Sequence, residues 1–174
     1  MLWAARPWAR RRFGSARSIG KPLALPLIPS LFARMGLNAS SHSTSRGWQT
    51  FQVDHGVRDD SLSAFQDLVE ATGAPILIAN VMDSDVCQVR GLAPSGARWS
   101  TFLDPVMAAD YGIPEPAPGA AQHITRWAAK AGFTADPDAL AHVLTKRAHP
   151  LVEDLIHEMI DSCGFPPGIP DEPT

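Results

Sequence analysis

The stretch Ile76-Leu77-Ile78-Ala79-Asn80-Val81-Met82, followed by Asp83-Ser84-Asp85 and then Val86-Cys87-Gln88-Val89-Arg90-Gly91, decides how this chain is read. Ile76 to Met82 is mostly apolar and rich in β-branched residues, and at this length it predicts a buried strand. Asp-Ser-Asp is turn chemistry, because these short polar side chains bond to their own backbone and tolerate tight conformations. Val86 to Gly91 then returns as the second strand of a hairpin. Pro94-Ser95-Gly96 supplies another turn, with proline suited to its second position and glycine to its fourth. Arg98 to Leu103 makes a third strand in which Trp99, Thr101 and Leu103 share one face. The product is a three-stranded antiparallel meander.

Helical signals flank the meander. Before it, Asp60 or Ser61 can cap a helix whose apolar residues Leu62, Phe65, Leu68 and Val69 follow helical spacing, and Gly73 can close it. After it, Asp104-Pro105 and Asp136-Pro137 are helix starts: the carboxylate accepts from unpaired amides and proline takes the first helical position. Between them, Ala121, Ile124, Trp127, Ala128 and Ala131 fall on one stripe. Pro150 opens the last helix, where Leu151, Val152, Leu155, Ile156, Met159, Ile160 and Cys163 recur as pairs at every turn. The fold class is therefore α+β: one helix, a three-stranded antiparallel meander, then about four helices packed on one face. Residues 57–166 form a single domain on this reading, and 167–174 a disordered tail. No repeat of domain-building length is visible.

The length of 174 residues, 45% hydrophobic content and 19% charge belong to an ordinary globular chain and exclude a wholly disordered or collagen-like one. No apolar run reaches the ~18 residues of a membrane span, so no membrane partner is expected. The formal charge of −3 conceals a split. Residues 1–53 hold eight Lys or Arg and no acid, whereas residues 54–174 hold seven Lys or Arg against 18 Asp or Glu, a net charge of −11. An acidic body argues against nucleic acid as a partner. The two cysteines, Cys87 and Cys163, are too few for a disulfide framework, which points to a reducing, cytoplasmic setting.

Residues 1–56 read as a basic, disordered leader outside the domain. Pro7, Pro22, Pro26 and Pro29 interrupt any long amphipathic helix there. Arg10-Arg11-Arg12-Phe13 before the apolar run from Pro22 to Ala33 loosely imitates a twin-arginine export signal, and the acid-poor composition also fits a transit peptide. A disordered arm, an over-long reading frame with a start at Met35, and a basic arm with a binding role stay open beside them. Gly36 to Gln49 continues as a Ser/Thr-rich linker.

Two constellations invite a chemical reading. Asp83 and Asp85 follow a buried strand directly, and two carboxylates two residues apart can share a hard divalent metal. Turn formation explains the same residues without a ligand. On the last helix, His157-Glu158 with Asp161 approaches the H-E-x-x-H zinc pattern but lacks its second histidine. The polar face Glu153, Asp154, His157, Glu158 and Asp161 carries four carboxylates that repel one another at i, i+3 and i, i+4, and a basic partner would relieve this. A solvated helix face explains these residues equally. His123, His142 and His149 show no paired spacing, no G-x-S-x-G elbow occurs, and neither cysteine has a neighbouring histidine, so nucleophilic catalysis has no support.

From Ala74-Pro75-Ile76-Leu77 through Asp83-Ser84-Asp85 to Gly91-Leu92-Ala93-Pro94-Ser95-Gly96, the segment Leu62 to Leu155 resembles uncharacterised small proteins of high-GC actinobacteria. It also looks somewhat like the compact acidic α+β proteins that neutralise toxins. The resemblance carries no diagnostic motif and assigns no functional residue. Because chemistry-bearing motifs are absent while the charge asymmetry is real, the reading is a non-enzymatic acidic protein-binding module of immunity or regulatory type, with no cofactor and a basic protein partner held by Glu153, Asp154, His157, Glu158 and Asp161. The alternative is an enzyme using a divalent metal at Asp83 and Asp85.

Overall fold

A computed structural model describes residues 2–5, 30, 32–33, 36, 39–45, 48–53, 62–115 and 118–164. The expected meander is present as β4 (Ile76–Met82), β5 (Val86–Leu92) and β6 (Arg98–Leu103). It is preceded by helix α1 (Leu62–Thr72) and followed by α2 (Pro105–Asp110), α3 (Ala120–Lys130), α4 (Pro137–Thr145) and α5 (Val152–Ser162). Its register runs from Met82↔Val86 to Ile76↔Leu92 in the first hairpin, and from Cys87↔Leu103 to Leu92↔Arg98 in the second.

The sheet does not end with the meander. Strands β1 (Leu2–Ala5), β2 (Ala39–Ser45) and β3 (Trp48–Val53) extend it to six strands in the order β2-β3-β1-β4-β5-β6. All the pairings are antiparallel, and β1 lies between β3 and β4 with Leu2 opposite both Phe51 and Ile78. These strands fall within residues 1–56, for which the sequence predicts a disordered leader outside the domain. The physical reason for the difference is that a strand's ladder bonds come from its backbone, so a polar stretch such as Ala39–Ser45 can pair without apolar patterning of its own. The expected cap at Asp60 or Ser61, the twin-arginine stretch and the tail 167–174 lie outside the described residues.

Strand alternation divides the core into two layers, because successive side chains point to opposite faces. Leu77, Ala79, Cys87, Val89, Trp99 and Leu103 face α3, α4 and α5, which contribute Ile124, Trp127, Leu140, Leu155, Ile156 and Met159. Ile76, Ile78 and Leu92 face the other way, onto Phe65, Leu68 and Val69 of α1 together with Phe32 and Phe51. The helix preceding the meander thus covers the face opposite α3–α5. Covering both faces explains why β4 is buried at four consecutive positions before it opens toward its turn. Phe32 meets Phe51 edge to face at 5.4 Å, so part of the expected leader belongs to this second layer.

Several helix ends follow the sequence signals, but the last helix starts at Val152 with Leu151 as its N-cap, so Pro150, expected to open it, stands just outside. Gly73 takes φ 65° and its N–H closes α1 on the Val69 carbonyl. The Asp136 carboxylate accepts from the N–H groups of Asp138 and Ala139, both at 3.0 Å. On α5 the predicted apolar stripe is buried except at Leu151, which precedes the helix and is 46% exposed.

Candidate functional site

The turn after β4 and the start of α5, two separate candidates in the sequence, meet in space. Asp83 and Ser84 both adopt left-handed φ (53° and 60°), the sense that matches the twist of hairpin strands, and the Asp85 N–H closes the turn on the Met82 carbonyl. This curls the Ser84 carbonyl toward α5, where it accepts the Val152 N–H at 3.0 Å. Leu151 caps α5 without a side-chain bond, so the hairpin tip satisfies an amide of the first turn in place of a local cap. The Ser84 hydroxyl also donates to Glu153 Oε1 at 2.9 Å.

A third element closes the corner. Asp104 follows β6, is 2% exposed, and takes φ 57°. One carboxylate oxygen accepts the Met107 N–H at 2.9 Å, as the Asp-Pro signature predicts, and the other accepts the Ala148 N–H at 2.8 Å. This second bond ties the α4–α5 connection to the start of α2. Between the hairpin tip, α2 and that connection lies a cleft of about 360 Å³ lined by Asp85, Asp104, Met107, Arg147, His149 and Pro150, among others.

At the rim, Tyr111 ends α2 and its hydroxyl lies 3.3 Å from Asp83 Oδ2 and 3.4 Å from Asp85 Oδ2. One hydroxyl proton can serve only one of these oxygens at a time, and both contacts are long. Partial desolvation, followed by the negative charges of Asp83 and Asp85, raises the Tyr111 phenol above its ordinary range. Tyr111 therefore stays a neutral donor at physiological pH.

The five predicted residues of α5 divide. Asp154, His157 and Asp161 are exposed and form one stripe. Glu153 is half-buried against Ser84, and Glu158 pairs with Lys146 Nζ through both carboxylate oxygens at 2.7 and 2.8 Å. Part of the repulsion expected along this face is thus relieved within the fold. Asp83 and Asp85 are exposed and converge on Tyr111; among the described residues no three His, Cys, Asp or Glu side chains group as metal ligands.

The thiols are buried, and desolvation pushes Cys87 and Cys163 up to about 12, which keeps them protonated and poor nucleophiles. Among the described residues no helix is long and apolar enough to cross a membrane. Sequence reasoning did not find Tyr111, the Ala148 anchor of Asp104, or the exposure of Leu151. A Tyr directly before Gly112 at a helix end is a signal for an exposed aromatic, whereas the other two arise from contacts between distant segments. Comparison with family models, curated proteins and solved structures gave no match.

Proposed function

We propose that this chain is a non-enzymatic acidic protein-binding module, of immunity or regulatory type, whose docking surface is the corner where the β4–β5 turn, α2 and the start of α5 meet. The observation that carries the reading is the distribution of exposed apolar side chains. Among the described residues the large exposed hydrophobics are Val106, Tyr111 and Leu151, and all of them belong to elements that meet at this corner. Apolar and aromatic anchors ringed by charge are the anatomy of an interface, because the anchors supply binding energy and the ring supplies orientation and encounter rate. Asp83, Asp85 and Asp154 are the exposed acids of that ring and outnumber Arg147, the exposed cation lining the cleft, so the ring favours a basic partner. Buried, protonated thiols suit a reducing, cytoplasmic setting.

The experiment is affinity capture from source-cell lysate with the wild type, Tyr111→Ala and the double variant Asp83→Lys, Asp154→Lys as baits. The reading expects a basic protein that the wild type retains at low salt and both variants lose. An identical set of captured proteins on all three baits would remove the corner as a docking surface. The convergence of two carboxylates on the Tyr111 hydroxyl supports a second reading, a metal-dependent enzyme. Calorimetric titration with Mn²⁺ and Mg²⁺ separates the two: metal binding abolished by Asp83→Ala would favour the second.

A further inference from the structure

The opposite end of the sheet carries the opposite charge. Strand β6 runs from Arg98 to Leu103, just before Asp104 of the acidic corner, so its start lies about 20 Å away at the usual strand rise. There, beside the β5–β6 turn, is a cleft of about 530 Å³ lined by Arg98, Trp99, His123, Arg126, Trp127 and Lys130, with Ala97 and Ala129. Its size falls within the ~300–1,000 Å³ of small-molecule sites.

The sequence explains how the cleft is built. Gly91 stands directly opposite Trp99 in the β5–β6 register, and a Cβ at Gly91 would overlap the Trp99 indole, so the missing side chain lets the ring lie across β5. Trp127 packs edge to face on Trp99 at 5.6 Å and donates its indole N–H to the Leu92 carbonyl at 3.0 Å, which fixes α3 against the sheet. His123, Arg126 and Lys130 recur at i, i+3 and i+7 on α3, so one helix face lines the cleft beside the indole pair.

The charge at this mouth is set against the rest of the body. Three of the seven Lys or Arg in residues 54–174, a segment of net charge −11, converge here. All three side chains are exposed, and among the described residues none pairs with a carboxylate: Arg126 Nε donates to the Gln122 carbonyl and Lys130 Nζ to the Ser95 hydroxyl. Two guanidiniums and an ammonium match a dianion with three acceptor oxygens better than a monocarboxylate with two. The apolar lining of Ala97, Ala129 and the indole edges suits a flat ring.

We infer that this cleft binds a small aromatic phosphate monoester, its ring against Ala97, Ala129 and the edge of Trp99, with Trp127 buried behind them, and its phosphate among Arg98, Arg126 and Lys130. The probe is 1-naphthyl phosphate, titrated into the full chain while the indole N–H resonances of Trp99 and Trp127 are followed by NMR. The expected result is a saturable shift of those two signals with Kd of about 0.5 mM, the affinity that ordinary ligand efficiency gives for about 15 non-hydrogen atoms. 1-Naphthol and inorganic phosphate should each bind at least about tenfold more weakly, as should the ester to the double variant Arg126→Gln, Lys130→Gln, because each charge-assisted bond is worth about tenfold or more. Both substituted residues are exposed, so an unchanged spectrum of the free variant verifies its fold. Naphthol binding as tightly as the ester, an unaffected double variant, or no shift of these indoles would overturn the assignment. So would a single-stranded oligonucleotide that shifts the same signals about tenfold more tightly, since that result belongs to a nucleic-acid groove.

Discussion

Replacing Asp104 by Ala tests how the acidic corner is held together. Its two carboxylate oxygens each accept one backbone N–H, from Met107 at 2.9 Å and Ala148 at 2.8 Å, and the side chain is 2% exposed. Hydrogen bonds to a charged group contribute about 1.5–3 kcal/mol each, so losing both should cost about 3–6 kcal/mol. The cap on α2 is already one of these bonds and adds nothing further. Asp104 also sits at φ 57°, a conformation that Ala tolerates less well than Asp or Asn. Asp104→Asn keeps one acceptor and places an amide N–H₂ against the other donor, so it should fall between wild type and Ala. The assay is urea unfolding followed by circular dichroism, with hydrogen exchange at Ala148 as the local readout. A loss below about 1 kcal/mol in Asp104→Ala would refute the reasoning, since that is the size of an ordinary exposed cap. So would unchanged protection of the Ala148 amide.

Four further outcomes follow from the packing and the charges. Phe32→Ala should cost about 3–5 kcal/mol in equilibrium unfolding, because Phe32 is 4% exposed and packs edge to face on Phe51; no measurable loss would put this segment outside the core. Gly91→Ala should cost at least about 1–3 kcal/mol and shift the Trp99 indole resonance, since the added methyl needs the space of the ring. The raised thiol of Cys163 works against stability only in alkali: its contribution is full below the unfolded value of 9.0 and is lost as pH rises toward about 12. The fall in unfolding free energy over that window should therefore be shallower in Cys163→Ala than in wild type by about 1.4 kcal/mol per pH unit, measured by denaturant titration at several pH values. Glu158→Lys should destabilise more than Asp161→Lys in the same assay, because it sets a second ammonium beside Lys146 while Asp161 is exposed.

What could be read from the sequence follows a physical divide. The meander, the Asp-Pro helix starts, the closing Gly73 and the buried stripe of α5 are local patterns, governed by strand alternation, capping and the helical period. Strands β2 and β3 were missed for different reasons. Ala39–Ser45 carries no apolar alternation, but Trp48-Gln49-Thr50-Phe51-Gln52-Val53 is dense in strand-forming residues, and the linker composition before it hid that signal. The candidate site was legible as residue types and not as a place. Asp83 to Asp85 and Glu153 lie roughly 70 positions apart, and the Ser84–Glu153 bond joins them only once α5 has docked on β4 and β5. Tyr111 carries no weight in the sequence as a lone aromatic; only the fold brings Asp83 and Asp85 within hydrogen-bond distance of its hydroxyl. The basic cleft was masked by the net charge, because a sum over the body averages away three cations gathered at one end of the sheet.

The central claim is that the acidic corner is a docking surface for a basic protein. Its most direct test is the association rate of the captured partner with the wild type and with Asp83→Lys, Asp154→Lys, measured by stopped flow over ionic strengths from about 0.01 to 0.5 M, where the screening length falls from ~30 Å to a few ångströms. Wild-type association should slow by at least about tenfold across that range, and the variant should associate slowly throughout with a flat salt dependence. Wild type and variant sharing one rate and one salt slope would contradict the claim.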